Sequence, residues 1–181
     1  MVEWYTPIDI IEAARRTMGG IDLDPASDEE ANRIVKAERY FGVADDGLLQ
    51  PWAGRVWLNP PFGARDTRKF VGKLVSCYDE GGIEQACVLL IITPGSGGKP
   101  GNVATANSGG TLIGRFPFCY PFGKVLFLRP YPLPSSDIQF PVFVFYLGPH
   151  VKAFAHEFSA LGAVCGPLAQ YRSQTGILFE T

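Results

Sequence analysis

The chain has 181 residues, of which 46% are hydrophobic, 13% aromatic and only 19% charged, with a net charge of −2. This composition excludes a disordered or fibrous chain and suffices for one hydrophobic core, so a single domain over residues 1–181 is expected. A near-neutral charge supplies no global field for a polyanion, so nucleic-acid binding would have to rest on a local cluster of cations.

The opening MVEWYTPIDII carries an acid early and lacks the apolar core of a signal peptide. No window forms the run of about 20 apolar residues that a membrane span needs, and a soluble, cytoplasmic protein is expected. Residues 7–18, PIDIIEAARRTM, set apolar side chains at helical spacing, with Pro7 in the first turn and Gly19-Gly20 as a stop. IDLDP then predicts a short strand closed by Pro25. Ser27 or Asp28 is placed to cap a helix through Ala31 and Asn32, with Glu29 and Glu30 in its first turn.

After the irregular stretch RYFGVADDGLLQPWAG, the segment RVWL predicts a second strand and residues 67–78, TRKFVGKLVSCY, a helix. EQACVLLIIT is continuously apolar and β-branched toward its end, the pattern of a strand covered by helices on both faces. Residues 94–110, PGSGGKPGNVATANSGG, read as a long mobile loop. KVLFLR and FPVFVFYLG predict two strands that the connection PYPLPSSDIQ allows to pair antiparallel, and HVKAFAHEFSAL a last helix before Gly162 and a short tail. The fold class that follows is α/β, with a mostly parallel sheet and an antiparallel C-terminal strand pair.

Cys77, Cys87, Cys119 and Cys165 form no C-x-x-C pair, and His150 and His156 do not align as a ligand pair, so reduced thiols and no metal are expected. In GSGGKPG, Pro100 follows Lys99 where a phosphate loop needs Ser or Thr, and the glycine spacing is wrong. The aromatics of FPFCYPF and FVFYLG read as core or sheet-face residues.

The sharpest feature is Asn59-Pro60-Pro61-Phe62 at the end of the second strand. One reading is a proline-fixed exit from the sheet. The other is chemical. The exocyclic amine of adenine is a poor nucleophile because its lone pair is delocalised into the ring. The Asn59 side-chain oxygen and the Pro60 carbonyl, held by consecutive prolines, can both accept hydrogen bonds from such an amine and aim it at a methyl donor. Phe62 can stack on a base removed from its helix.

NPPF resembles the signature of S-adenosylmethionine-dependent amino-methyltransferases, whose usual form is Asn or Asp, two prolines and an aromatic. The ordered set EWYTP, IDLDPAS, DDGL, W-x-G-R-V-W-L-N-P-P-F and FVFYLG resembles the phage-type DNA N6-adenine methyltransferases, the Dam-like family, over the first half of the chain and more loosely beyond. The resemblance implies a Rossmann-like methyltransferase fold, somewhat truncated: about 34 positions separate Asp24 from Asn59, too few for every βα unit of a full methyltransferase half. It also implies transfer of a methyl group from S-adenosylmethionine to N6 of adenine in DNA, in a bacterial cytoplasm and from a phage or prophage source. Asn59, Pro60, Pro61 and Phe62 are then the catalytic set. RNA, cytosine N4 or a glutamine side chain as acceptor, or a noncatalytic nucleic-acid- or cofactor-binding remnant, are the alternatives.

For the cofactor, the resemblance points to Asp24 and Pro25, at the carboxyl end of a parallel strand where open α/β sheets bind ligands. Asp22 joins them if the strand twists it inward. DPAS replaces the glycine-rich turn of the wider methyltransferase pattern. Trp4, Tyr5, Thr6 and Pro7 form another cofactor segment, although Trp4 and Tyr5 could simply anchor the terminus and Thr6 cap the first helix. Asp45 and Asp46 lie at the acidic position that meets the cofactor's adenine; the plain reading is a solvated turn with Gly47 at positive φ. Arg65, Arg68, Lys69 and Lys73 directly follow NPPF. They read either as a solvated helix face or as phosphate contacts that orient DNA, with Lys99, Arg115 and Lys124 extending the track.

Overall fold

The computed structural model describes residues 5–61, 64–91, 112–123, 125–127 and 142–166. In chain order it contains α1 (Ile8–Met18), β1 (Leu23–Asp24), α2 (Glu29–Val35), β2 (Arg39–Tyr40), β3 (Gly54–Leu58), α3 (Ala64–Asp79) and β4 (Ile83–Ile91). Then follow α4 (Leu112–Arg115), β5 (Phe118–Pro121), β6 (Val142–Leu147), α5 (Val151–Phe158) and β7 (Gly162–Cys165). The strands form one seven-stranded sheet in the order β2-β1-β3-β4-β6-β5-β7. Neighbours are parallel from β2 through β4 and antiparallel from β4 to β7, so β6 and β7 alone run against the other five.

Strand alternation divides the core into two apolar layers. Trp57, Cys87, Leu89, Val144 and Tyr146 pack with Ile10, Ile11 and Ala14 of α1, Val35 of α2 and Phe154 and Phe158 of α5. Val56, Leu58, Ala86, Val88, Leu90 and Phe145 pack with Phe70, Val71, Leu74 and Val75 of α3. A sheet covered on both faces explains why β4 reads as an unbroken apolar run. The α/β, Rossmann-like reading therefore stands.

Three elements correct the sequence reading. β6 pairs with β4 and β5, not with a strand at KVLFLR: Val125, Leu126 and Phe127 carry no ladder, and the rest of that segment lies outside the described residues. The second neighbour of β6 is FCYP, whose aromatics read from the sequence as core or sheet-face residues. β2 and β7 were not predicted, being too short or too near the terminus to show a period. Between β1 and β3 the chain builds only α2 and the two-residue β2, the compressed half that the spacing anticipated.

The lower edge of the sheet, where β3 and β4 begin, is tied by side chains. α1 ends at Gly19 with φ 77, and Arg55 Nη1 donates to the Gly19 carbonyl at 2.6 Å while its guanidinium grips Asp22. Gln85 Nε2 donates to Met18 O at 3.1 Å, and Gln85 Oε1 accepts from Tyr146 OH at 2.6 Å.

Candidate active site

β1 stands between β2 and β3, so the chain leaves it to one side and returns to the other. By the general rule for open α/β sheets, this switch point marks the crevice beyond the carboxyl ends of β1 and β3 as the place for a ligand. Leu23 pairs with Val56, which sets Asp24 level with Trp57 and Asn59 two residues nearer the crevice. Leu23 packs on the α3 side, so alternation turns Asp24 toward the α1 and α2 layer.

Asp24 is 2% exposed. Its Oδ1 accepts from the Ala26 N–H at 3.2 Å, and among the described residues no cation reaches it. Burial pushes its carboxyl up to about 7, hydrogen bonds from Ala26 and Ser27 oppose the rise, and the Asp28 carboxylate adds to it. Asp28 caps α2 by accepting from the Ala31 N–H at 2.7 Å, and the Tyr5 hydroxyl donates to its other oxygen at 3.3 Å. Thr6 is buried, yet the cap of α1 is Pro7, without a side-chain hydrogen bond. The capping role expected of Thr6 is thus corrected: its Oγ1 is buried and has no hydrogen-bond partner among the described residues. Such an orphan hydroxyl is costly unless a ligand satisfies it.

Asn59 and Pro60 follow β3 directly, Pro60 buried and the Asn59 side-chain oxygen shielded from solvent. The Pro61 carbonyl accepts from Thr67 Oγ1 at 2.6 Å, so the first turns of α3 clamp the exit of the proline turn. Phe62 lies outside the described residues, as do Trp4, Lys99, Lys124 and the glycine-rich segment 94–110.

The loop after β2 closes the same end. Asp45 Oδ2 accepts from the Gly42 N–H at 2.8 Å, and Asp46 Oδ1 from the Leu48 N–H at 3.2 Å, so both carboxylates bond within their own loop. The positive φ falls on Asp46, at 48°, rather than on Gly47. Gly47 is required for another reason: a Cβ there would sit 1.9 Å from the Pro25 carbonyl oxygen. That contact presses the loop onto the turn after Asp24.

Two sequence candidates stand apart from the roles expected of them. Asp22 accepts from the Arg55 N–H at 2.7 Å and Nε at 2.9 Å at the opposite edge of the sheet, and this pairing holds its carboxyl below the usual range. Lys73, grouped with the DNA cations, points instead at the loop, 2.7 Å from Leu48 O and 2.5 Å from Gln50 O. Arg65, Arg68 and Lys69 do share an exposed helical face, with Lys69 3.4 Å from Asp66. Arg115 grips Asp79 and braces α4 on α3. Sequence reading missed the parts played by Thr67, Trp52 and Lys73, since a helix pattern does not show which polar side chain folds back onto a loop.

Among the described residues no helix is long and apolar enough to cross a membrane. No curated protein matches the chain. The family model described as DNA N-6-adenine-methyltransferase (Dam) matches residues 2–98, more than half of the chain and every element that builds the crevice from α1 to β4, and the chain belongs to that family.

Proposed function

We propose that this chain transfers the methyl group of S-adenosylmethionine to the N6 amino group of adenine in DNA. The observation that carries the reading is the placement, on neighbouring parallel strands and at one sheet edge, of a buried Asp24 and the Asn59-Pro60-Pro61 turn, inside the segment that matches the family. The crevice suits the cofactor's chemistry. A desolvated carboxylate without a cation partner gains by meeting an ammonium or ribose hydroxyls, and the Thr6 hydroxyl supplies a further unsatisfied group. When bound, S-adenosylmethionine supplies an electrophilic methyl carbon on a sulfonium.

The protein's own work is orientation. Asn59 and the Pro60 carbonyl accept from the target amine, localising its lone pair, and the Thr67 bond to Pro61 keeps the turn from relaxing. Phe62 stacks on the extruded base. Asp24 and Pro25, with Tyr5, Thr6 and Pro7, hold the cofactor, and the loop of Asp45 and Asp46 walls its adenine side. Arg65, Arg68 and Lys69 meet the phosphates and set the strand's register. In the decisive experiment, purified protein is incubated with tritiated cofactor and DNA, and the product is digested to nucleosides. Labelled N6-methyldeoxyadenosine from wild type and at least a hundredfold less from Asn59→Ala is expected, in line with the ~10²–10³ lost when one polar stabiliser of a reacting group is removed. Equal labelling by both proteins, or label found only in RNA, cytosine or protein, refutes the proposal.

A further inference from the structure

Helix α3 touches both halves of the crevice. Its first turns hold the proline turn through Thr67, and Lys73, six residues on, reaches the opposite wall. The Lys73 ammonium lies 2.7 Å from Leu48 O, 2.5 Å from Gln50 O and 3.5 Å from Gly47 O, so three carbonyls face the three protons it carries. It also sits 5.1 Å from the centroid of the Trp52 ring, whose Nε1 donates to Gly47 O at 2.8 Å. Trp52 is buried and stacks on Phe70 of the same helix at 6.1 Å. The loop 47–50 is therefore bolted to α3 by one cation and one indole, while Gly47 presses it onto Pro25.

We infer that Lys73 is a positioning residue for the cofactor and not a DNA contact: it fixes the Asp45-Asp46-Gly47-Leu48 loop against the Asp24-Pro25 turn, so that α3 sets the spacing between the cofactor wall and the base-orienting turn. The inference rests on reading that loop as part of the cofactor site. Lys73→Met keeps the aliphatic stem on Trp52 and removes the three donors. A loop displaced by about 1 Å costs a bound ligand on the order of 10- to 100-fold.

The test combines calorimetric titration of S-adenosylmethionine, steady-state methylation, and binding of a DNA duplex at several salt concentrations. K73M is expected to raise the cofactor Kd and KM about 10- to 100-fold, to keep kcat at saturating cofactor within about twofold, and to leave DNA affinity and its salt slope unchanged. A purely structural role would instead lower the active fraction, reducing kcat at constant KM. Trp52→Phe, which removes the indole N–H together with its five-membered ring but keeps an aromatic face, should shift KM in the same direction by less, and serves if K73M folds poorly. Unchanged cofactor affinity in both variants overturns the inference while wild-type binding still supports the cofactor site. Weaker DNA binding with a shallower salt slope in K73M also overturns it, returning Lys73 to the phosphate track. Absence of cofactor binding by wild type overturns the functional reading itself, and the inference with it.

Discussion

Replacing Asp24 with Asn should make the protein more stable and less able to bind its cofactor, and the gain in stability should grow with pH. Asp24 is 2% exposed and its carboxyl is pushed from 3.8 up to about 7 by burial. The unfolded chain loses this proton near pH 3.9. Between about pH 4 and 7 the folded state thus holds a proton that the unfolded state has released. The contribution to stability is complete below the unfolded value and is lost as pH rises through the folded one. The interval between 3.8 and about 7 corresponds to ~4 kcal/mol, an upper figure for a carboxylate left without a cation.

An amide carries no charge to desolvate, and its oxygen can still accept from the Ala26 N–H that lies 3.2 Å from Oδ1. Urea denaturation of wild type and D24N should therefore give curves within about 1 kcal/mol of each other at pH 4.5, and a D24N advantage approaching ~4 kcal/mol at pH 8. Cofactor titration at pH 8 should show the opposite ranking, because the amide offers an ammonium no charge. A stability difference that does not change between the two pH values, or a D24N protein less stable at pH 8, would refute the argument that this carboxylate is buried at a cost for the sake of a ligand.

Two further substitutions separate the crevice from the frame beneath it. Gly47→Ala drives a methyl group to 1.9 Å from the Pro25 carbonyl oxygen, so the loop must lift; a stability loss of about 1–3 kcal/mol and weaker cofactor binding are expected in denaturation and titration. Asp22→Asn breaks the grip of Arg55, whose ion pair is only a quarter exposed on each side (25%/25%), and should cost about 1–3 kcal/mol at neutral pH without changing cofactor affinity. Because Arg55 lowers the Asp22 carboxyl, that contribution is present above the unfolded value near pH 4 and fades as pH falls through the folded one, so the two proteins should converge in acid.

Sequence reading located the helices and strands with strong periodicity, while the strand neighbourhood that brings Asp24 near Asn59 comes from the pairing of β1 with β3. α1, β3, α3, β4 and α5 stand where apolar spacing put them, because each buries a continuous face. Asp28 was one of two named caps, and it accepts from Ala31 as an N-cap should. What could not be read was any element held by tertiary contact. β5 contains two aromatics and a proline and gains its ladder from β6 and β7 on either side. Asp22 and Asp24 are two residues apart and look equivalent in sequence, yet Arg55 lies beside the first and, among the described residues, no cation pairs with the second. Only the register of β1 on β3 separates them.

The shortness of β2 accounts for the many polar side chains that converge on residues 42–50. A longer strand in place of β2 would hold the following loop through its ladder, each residue adding a backbone bond. Here β2 has two residues at the sheet's edge, and its extension is limited to Phe41 N–H donating to Asp24 O at 3.0 Å and Ser27 N–H to Phe41 O at 2.9 Å. Beyond Phe41 the loop departs, and its bonds become Asp45 to Gly42, Asp46 to Leu48, Gln50 to Asp45, Trp52 to Gly47 and Lys73 to Leu48 and Gln50. Side chains thus replace the missing ladder, and the heaviest anchors, Trp52 and Lys73, tie the loop to α3 instead of to the sheet. With β2 this short, a crevice without those anchors would have one wall unfixed, so the link from α3 to the loop supplies the hold that a longer strand would give.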